Sequence, residues 1–129
     1  MRERSLILIV DDEPQIQRFL GHALVAAGYD TCTAGNGAEA LAQIAAREPD
    51  LMILDLGLPD MNGKEVIERL RMRSDLPVIV LSAHDQEMER IMALDLGAND
   101  FVAKPFGIGE LLARLRASLR PRRAARPDV

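Results

Sequence analysis

Tryptophan is absent, tyrosine occurs once and phenylalanine three times, so aromatic residues make up only 3% of the 129 residues. A chain this poor in rings offers few platforms for stacking bases. Its formal net charge of -4 leaves no basic face for a phosphodiester backbone before Arg120. Both shortages argue against a free-standing nucleic-acid binder. Cys32 is the only cysteine; an intramolecular disulfide is excluded, and a reducing compartment with Cys32 as a small apolar strand residue is the simple reading. Long apolar runs are missing too. The opening Met-Arg-Glu-Arg-Ser-Leu-Ile-Leu-Ile-Val stops at Asp11 after a strand's length, too short for a signal peptide or a spanning helix. A soluble cytoplasmic protein with no membrane partner is expected, and the length suits one domain with a single hydrophobic core.

What is present is an alternation. Leu6 to Val10 and Leu51 to Leu54 are continuous apolar runs of the kind that suits strands buried on both faces, and each ends in acid: Asp11-Asp12-Glu13 and Asp55. After the first, Pro14 opens a helix in which Ile16, Phe19, Leu20, Ala23, Leu24 and Ala27 recur at helical spacing until Gly28 stops it. His22 lies at the margin of that face and is best read as structural. Tyr29 to Ala34 is a weaker strand. Asn36 with Glu39 resembles a capping box and opens a helix whose expected buried side is Ala38, Leu41, Ile44 and Ala45. Leu56 to Gly63 is a turn-rich loop, followed by a helix marked by Val66, Ile67 and Leu70. Pro77 introduces the strand Val78 to Leu81, and a fourth helix spans Glu87 to Leu96. A short fifth strand, Asp100 to Ala103, precedes a final helix carrying Ile108, Leu111, Leu112, Leu115 and Leu119 on one face. Five strand-helix units joined by right-handed crossovers predict an α/β fold: a doubly wound five-stranded parallel sheet in a three-layer α/β/α sandwich. In the order 2-1-3-4-5, strand order reverses between strands one and three, and ligands of such sheets sit beyond the carboxyl ends at that point.

Asp11, Asp12 and Asp55 end those two strands. Close carboxylates repel by ~1 kcal/mol per pair in water and ~4 kcal/mol at an effective dielectric near 20. A hard divalent cation relieves that repulsion, and Mg²⁺ fits best because it keeps waters and accepts phosphate oxygens as further ligands; Ca²⁺ is the runner-up. At the ends of strands four and five stand Ser82 and Lys104. A hydroxyl donor and an ammonium facing a metal-bound carboxylate make a cradle for a phosphoryl group carried on Asp55. Each of these residues alone is weak evidence for a site, since an isolated Lys, Ser or acidic pair usually serves the surface, a turn or a cap. Their joint placement at four strand ends is specific.

Val10-Asp-Asp-Glu-Pro, Leu54-Asp-Leu-Gly-Leu-Pro-Asp-Met-Asn-Gly63, Pro77-Val-Ile-Val-Leu-Ser-Ala83 and Gly97-Ala-Asn-Asp-Phe-Val-Ala-Lys-Pro-Phe106 resemble the receiver domain of two-component response regulators. The resemblance implies that Asp55 accepts phosphate from a sensor histidine kinase. It adds the Gly57 backbone carbonyl to Asp11, Asp12 and Asp55 as a Mg²⁺ ligand, makes Ser82 and Phe101 the switch pair, and sets a cis bond between Lys104 and Pro105. Phe101 stands where related DNA-binding regulators usually carry Tyr, so a hydroxyl is missing. The chain is further similar to winged-helix regulators of the OmpR/PhoB type, and within them to the Kdp-type regulators of potassium-transport genes. That likeness implies a homodimer on phosphorylation, built from Arg90, Ile91, Leu94, Asp95, Asp100, Glu110, Ala113, Arg114 and Arg116. Its cross-axis pairs would be Arg90 with Glu110, Asp100 with Arg114 and Asp95 with Arg116. Asn99 occupies a position where an acid is common in those regulators.

From Arg120 the sequence turns basic and Pro-containing. Residues 1–120 are expected to form the receiver domain and 121–129 the start of an interdomain linker, with DNA contacted only through a C-terminal domain that this chain lacks. A phospho-acceptor switch of this kind is no turnover enzyme. Rival readings are a stand-alone receiver acting through protein contacts, a flavodoxin-like cofactor binder and an aspartyl-phosphate phosphohydrolase. The second would need a hydroxyl- and glycine-rich phosphate loop where Asp11-Asp12-Glu13 stands. The third would want an Asp where Gly57 lies. His84, two residues past Ser82, is placed to influence hydrolysis of the phosphoryl group.

Overall fold

A computed structural model describes residues 3–83 and 87–124, and the side chains only as far as residue 119. Five strands, β1 (Leu6–Val10), β2 (Asp30–Ala34), β3 (Leu51–Asp55), β4 (Val78–Ser82) and β5 (Asp100–Ala103), alternate with five helices. These are α1 (Pro14–Ala26), α2 (Gly37–Arg47), α3 (Gly63–Arg71), α4 (Glu87–Asp95) and α5 (Ile108–Ala124). All pairings are parallel and the order is β2-β1-β3-β4-β5, as the alternation predicts. No helix among the described residues is long and apolar enough to cross a membrane.

The continuous apolar runs are explained by burial on both faces. Leu6, Leu8, Val10, Met52, Leu54, Val78 and Val80 point to one side, where they pack with Ala40 of α2, Val66, Ile67 and Leu70 of α3 and Ala93 of α4. Their neighbours Ile7, Ile9, Leu51, Ile53, Ile79 and Leu81 point to the other, against Leu20 and Leu24 of α1 and Leu111 and Leu115 of α5. A fully buried Leu or Ile contributes roughly 1.5–3 kcal/mol by leaving water, so the three central strands dominate the core. The same strands fix the site, because their pairing leaves no freedom in where each one ends.

Three local expectations shift. Phe19 is 53% exposed, one helical step off the Leu20–Leu24 stripe, and its ring tilts against Phe106 at 6.3 Å between centroids. Helix α2 buries Gly37 and Ala40, not Ala38 and Ala45. Ala40 packs in the core with Leu41 and Ile44 against it, and the Met61 side chain lies over the bare Cα of Gly37, where a Cβ would come within 2.5 Å of Met61 Cγ. Glu39 does not close a reciprocal capping box. Asn36 Oδ1 accepts from the Glu39 amide at 2.8 Å, but Glu39 Oε1 accepts from the amide of Gly35. At the other end of the chain α5 continues to Ala124, so the backbone of the first linker-assigned residues prolongs the last helix.

Two ties fix the C-terminal end of α4. Gly97 takes the left-handed conformation (φ +117°) that ends the helix, and its carbonyl accepts from Arg71 Nε at 3.2 Å and Nη2 at 2.8 Å. Asn99 Oδ1 accepts from the Val78 amide at 2.8 Å, while Arg71 Nη2 lies 3.3 Å from it. The Asn99 amide is thus committed within the chain, pinning the start of β4.

Gly63 lies where the loop after β3 turns into α3, and a Cβ there would meet backbone, 2.7 Å from Leu56 Cα and 2.8 Å from the Asp55 carbonyl oxygen. Gly63→Ala is expected to lose ~1–3 kcal/mol in urea unfolding. Gly57→Ala, where nothing lies within 4 Å, should change the midpoint little.

Candidate functional site

The parallel register carries the functional side chains to one edge. Val10 pairs with Leu54, so Asp11, the next residue, comes level with Asp55 at the end of β3. Asp55 pairs with Leu81 and Ser82 with Ala103, which places Ser82 and then Lys104 one step further along the same edge. Asp12, Asp55, Gly57, Ser82 and Lys104 line one open pocket of about 520 Å³. Asp11, only 2% exposed, lies next to it with its carboxylate close to those of Asp12 and Asp55.

The charges are tightly arranged. Ligand oxygens of Asp11, Asp12 and Asp55 all lie within 4.8 Å of one another. Lys104 Nζ donates to Asp11 Oδ2 at 3.2 Å and stands 3.9 Å from Asp55 Oδ2. Asp11 is further used by the chain itself: its Oδ1 accepts from the Glu13 amide at 2.9 Å, turning the backbone away from β1. Gln17 Nε2, on the first turns of α1, donates to the Asp11 carbonyl at 2.7 Å. The Lys104–Pro105 bond is cis, as the resemblance implies.

Burial pushes the Asp55 carboxyl above its ordinary pKa. The Lys104 ammonium and the Gly57 amide, 3.3 Å from Oδ1, pull it back, and the charges of Asp11 and Asp12 push it up further. Three carboxylates against one ammonium leave an excess of two negative charges when all are ionised. The donors are all hard oxygens and the pocket is open to water. Charge, donor type and access therefore fit a divalent cation such as Mg²⁺. They do not fit a bare phosphate ester, which would add to the repulsion; this weakens the flavodoxin-like alternative.

Ser82 and Phe101, expected as a switch pair, lie next to this edge. Ser82 is 3% exposed, and its carbonyl accepts from the Lys104 amide at 2.8 Å. Phe101 is already turned inward, 7% exposed in the core beneath α4, with the Arg90 guanidinium 5.3 Å above the ring centroid. Of the residues expected to pair across a dimer axis, Asp100 and Arg114 meet within one chain. Arg114 Nη1 lies 3.0 Å from both carboxylate oxygens of Asp100, and Nε lies 3.1 Å from Glu110 Oε2. Ile91 and Leu94 on α4 are 44% and 40% exposed, and Asp95, Ala113 and Arg116 are exposed as well. His84 lies outside the described residues.

Sequence reasoning missed two contributors. Lys64 Nζ and Glu89 Oε2 pair at 3.1 Å across the starts of α3 and α4, and Glu89 lines the pocket. Asp60, at the tip of the loop after β3, accepts from the amides of Gly37 and Ala38 at 2.8 and 2.9 Å. Neither has a signal at short spacing; a 25-residue and a 23-residue separation bring them together only in the fold.

A family model described as the response regulator receiver domain matches residues 7–116. The chain is 52% identical over 121 residues to the transcriptional regulatory protein KdpE of Mycobacterium tuberculosis (strain ATCC 25618 / H37Rv), covering 94% of this chain and 54% of that protein. It is 54% identical over 114 residues to the KDP operon transcriptional regulatory protein KdpE of Escherichia coli (strain K12), covering 88% and 51% respectively. The chain thus spans about half the length of these curated relatives. Among solved structures, the BeF3-activated N-terminal receiver domain of Klebsiella pneumoniae RstA superposes with a TM-score of 0.86 at 33% identity, over 89% of this chain and 98% of that one.

Because Asp55 binds its proton more tightly folded than unfolded, its ionisation costs stability. That cost is absent below the ordinary carboxylate range and grows as pH rises through the raised pKa. In EDTA, Asp55→Asn is expected to raise the melting temperature at neutral pH, and its advantage over the unaltered chain should shrink toward pH 3. A pH series of thermal melts checks both points.

Proposed function

Starting from its membership of the response regulator receiver family, we propose that this chain is the phospho-acceptor switch of a two-component transcriptional regulator, phosphorylated on Asp55 by a sensor histidine kinase. The observation that carries this is the meeting of Asp11, Asp12 and Asp55 within 4.8 Å, with Lys104 reaching two of them. In the transfer, an Asp55 carboxylate oxygen forms a bond to phosphorus as the bond from phosphorus to the donor breaks. The donor is a phosphohistidine nitrogen or the acyl oxygen of a small acyl phosphate. Bound Mg²⁺, held by Asp11, Asp12, Asp55 and the Gly57 carbonyl, would supply charge neutralisation for the phosphoryl oxygens. Lys104 supplies the fixed positive charge, prepositioned by Asp11 so that little reorganisation accompanies the transfer. The Ser82 side chain, at the rim of the same pocket, donates to the phosphoryl group once it is attached.

The consequence is a population shift. Moving a two-state equilibrium from mostly off to mostly on takes ~5 kcal/mol of preference, which a few charge-assisted contacts to a dianion can supply. Phe101 already packs inward beneath Arg90, so in this chain the shift acts chiefly on the surface formed by α4, β5 and α5. There Asp100, Arg114 and Glu110 are preassembled within each copy. Partly exposed pairs of this kind contribute at most ~1 kcal/mol each, so a dimer across this face would draw its affinity mainly from Ile91, Leu94 and Ala113 and its register from the charges. Similarity to the two KdpE proteins supports control of potassium-transport genes through a C-terminal DNA-binding domain. Such a switch carries out its own phosphorylation and dephosphorylation without a turnover substrate.

Intact mass and sedimentation, measured with Mg²⁺ before and after acetyl phosphate or beryllofluoride, test the proposal. A phosphate mass gain lost in Asp55→Asn, with monomers becoming dimers, is the expected result; no gain and no response to beryllofluoride would overturn it. Lys104→Ala should stay folded and slow phosphorylation about a hundred-fold, the usual loss for one charge-stabilising donor. Arg114→Glu should take up phosphate normally and remain monomeric, whereas a normal dimer would remove the assigned face.

A further inference from the structure

We propose that Asp60 is a positioning residue for the phosphorylation site: by capping α2 from the tip of the β3–α3 loop, it holds the loop segment that carries Gly57. The inference rests on the metal-dependent reading of the site given above.

The loop closes on itself at its base. Gly57 and Asn62 form an isolated antiparallel bridge, and the Gly63 amide donates to the Leu56 carbonyl at 2.9 Å. Asn62 then caps α3, its Oδ1 accepting from the Lys64 amide at 2.8 Å. These contacts fix where the loop leaves and returns. None of them involves Asp60 or Met61 at its tip.

The tip is held by α2. The first amides of a helix have no partner inside it, and in α2 those of Gly37, Ala38 and Glu39 are the ones at issue. Asn36 serves Glu39 locally, while Asp60 serves the other two, one with each carboxylate oxygen. A carboxylate at a helix N-terminus also gains from the aligned peptide dipoles. The two amide bonds accordingly hold the Asp60 carboxyl below its ordinary pKa. Met61 adds a second contact on the bare Cα of Gly37. Two hydrogen bonds and a close packing contact therefore tie residues 60 and 61 to residues 37 and 38. The loop between Asp55 and Gly63 is consequently anchored at its base, where Gly57 pairs with Asn62, and at its tip, three residues beyond Gly57.

Local capping by Asn36 makes a discriminating control, because Asn36→Ala weakens the same helix end without touching the loop. The metal-free protein is first compared by amide hydrogen exchange at Gly63, and MgCl2 is then titrated calorimetrically. Asp60→Ala is expected to speed Gly63 exchange and to weaken Mg²⁺ binding about ten-fold, the low end of what losing a supporting contact costs a metal site. Asp60→Asn, which keeps one acceptor oxygen, should lose less. Asn36→Ala should lower the melting temperature and leave both readouts unchanged. Unchanged exchange and affinity in Asp60→Ala overturn the proposal, as does an equal loss in Asn36→Ala. If the unaltered protein binds no Mg²⁺, the metal reading of the site fails, while Gly63 exchange in metal-free protein still decides the tether.

Discussion

Three carboxylates held against one ammonium at the edge of a parallel sheet are the constraint on which the rest of the molecule depends. Left to themselves, Asp11, Asp12 and Asp55 would spread apart, since each close pair is repelled by several kcal/mol once partly shielded from water. They cannot spread, because β1 and β3 are locked between two apolar layers and end level with each other. The rigid core is therefore what stores the electrostatic tension. Lys104, delivered by the outermost strand, relieves part of it and leaves a deficit that a cation can fill.

From that edge the connections run outward along short paths. Lys104 directly follows β5, whose Phe101 lies beneath α4, and Arg90 of α4 covers that ring. The Lys64–Glu89 pair joins the starts of α3 and α4 at the pocket, while Arg71 grips the far end of α4 through the Gly97 carbonyl. Helix α4 is thus attached at both ends and presents exposed Met88, Ile91, Met92 and Leu94 along its outer side. The start of this helix lies within one ion pair of the pocket, because Glu89 both lines it and pairs with Lys64.

Much of this was legible in the sequence because strands buried on both faces write themselves as unbroken apolar runs, and the residue after each run marks the functional edge. Asp11, Asp55, Ser82 and Lys104 are placed at that edge in that way, where the strand register has them, and the sheet order follows from alternation. The phase of α2 is not legible, since its alanines are interchangeable by hydropathy and its contact with Met61, 24 positions from Gly37, leaves no trace at short spacing. Phe19 misled because a ring at the edge of a helical stripe has the same spacing as one at its centre. The Asp100–Arg114 pairing was recognised as a pair of residues, but a chain and its copy offer the same partners, and sequence does not distinguish the two.

The contact between Gly37 and the tip residues Asp60 and Met61 bears on how such domains can be recombined. A chimeric regulator made by transplanting the segment that follows β3 into another receiver would import an acid and a thioether fitted to a glycine-led helix. In a recipient with a bulkier first helical residue the graft would meet a Cβ where this chain has none. Crossover points that keep residues 36–63 together preserve the fit, whereas those falling between the two segments break it even when every acidic pocket residue is retained.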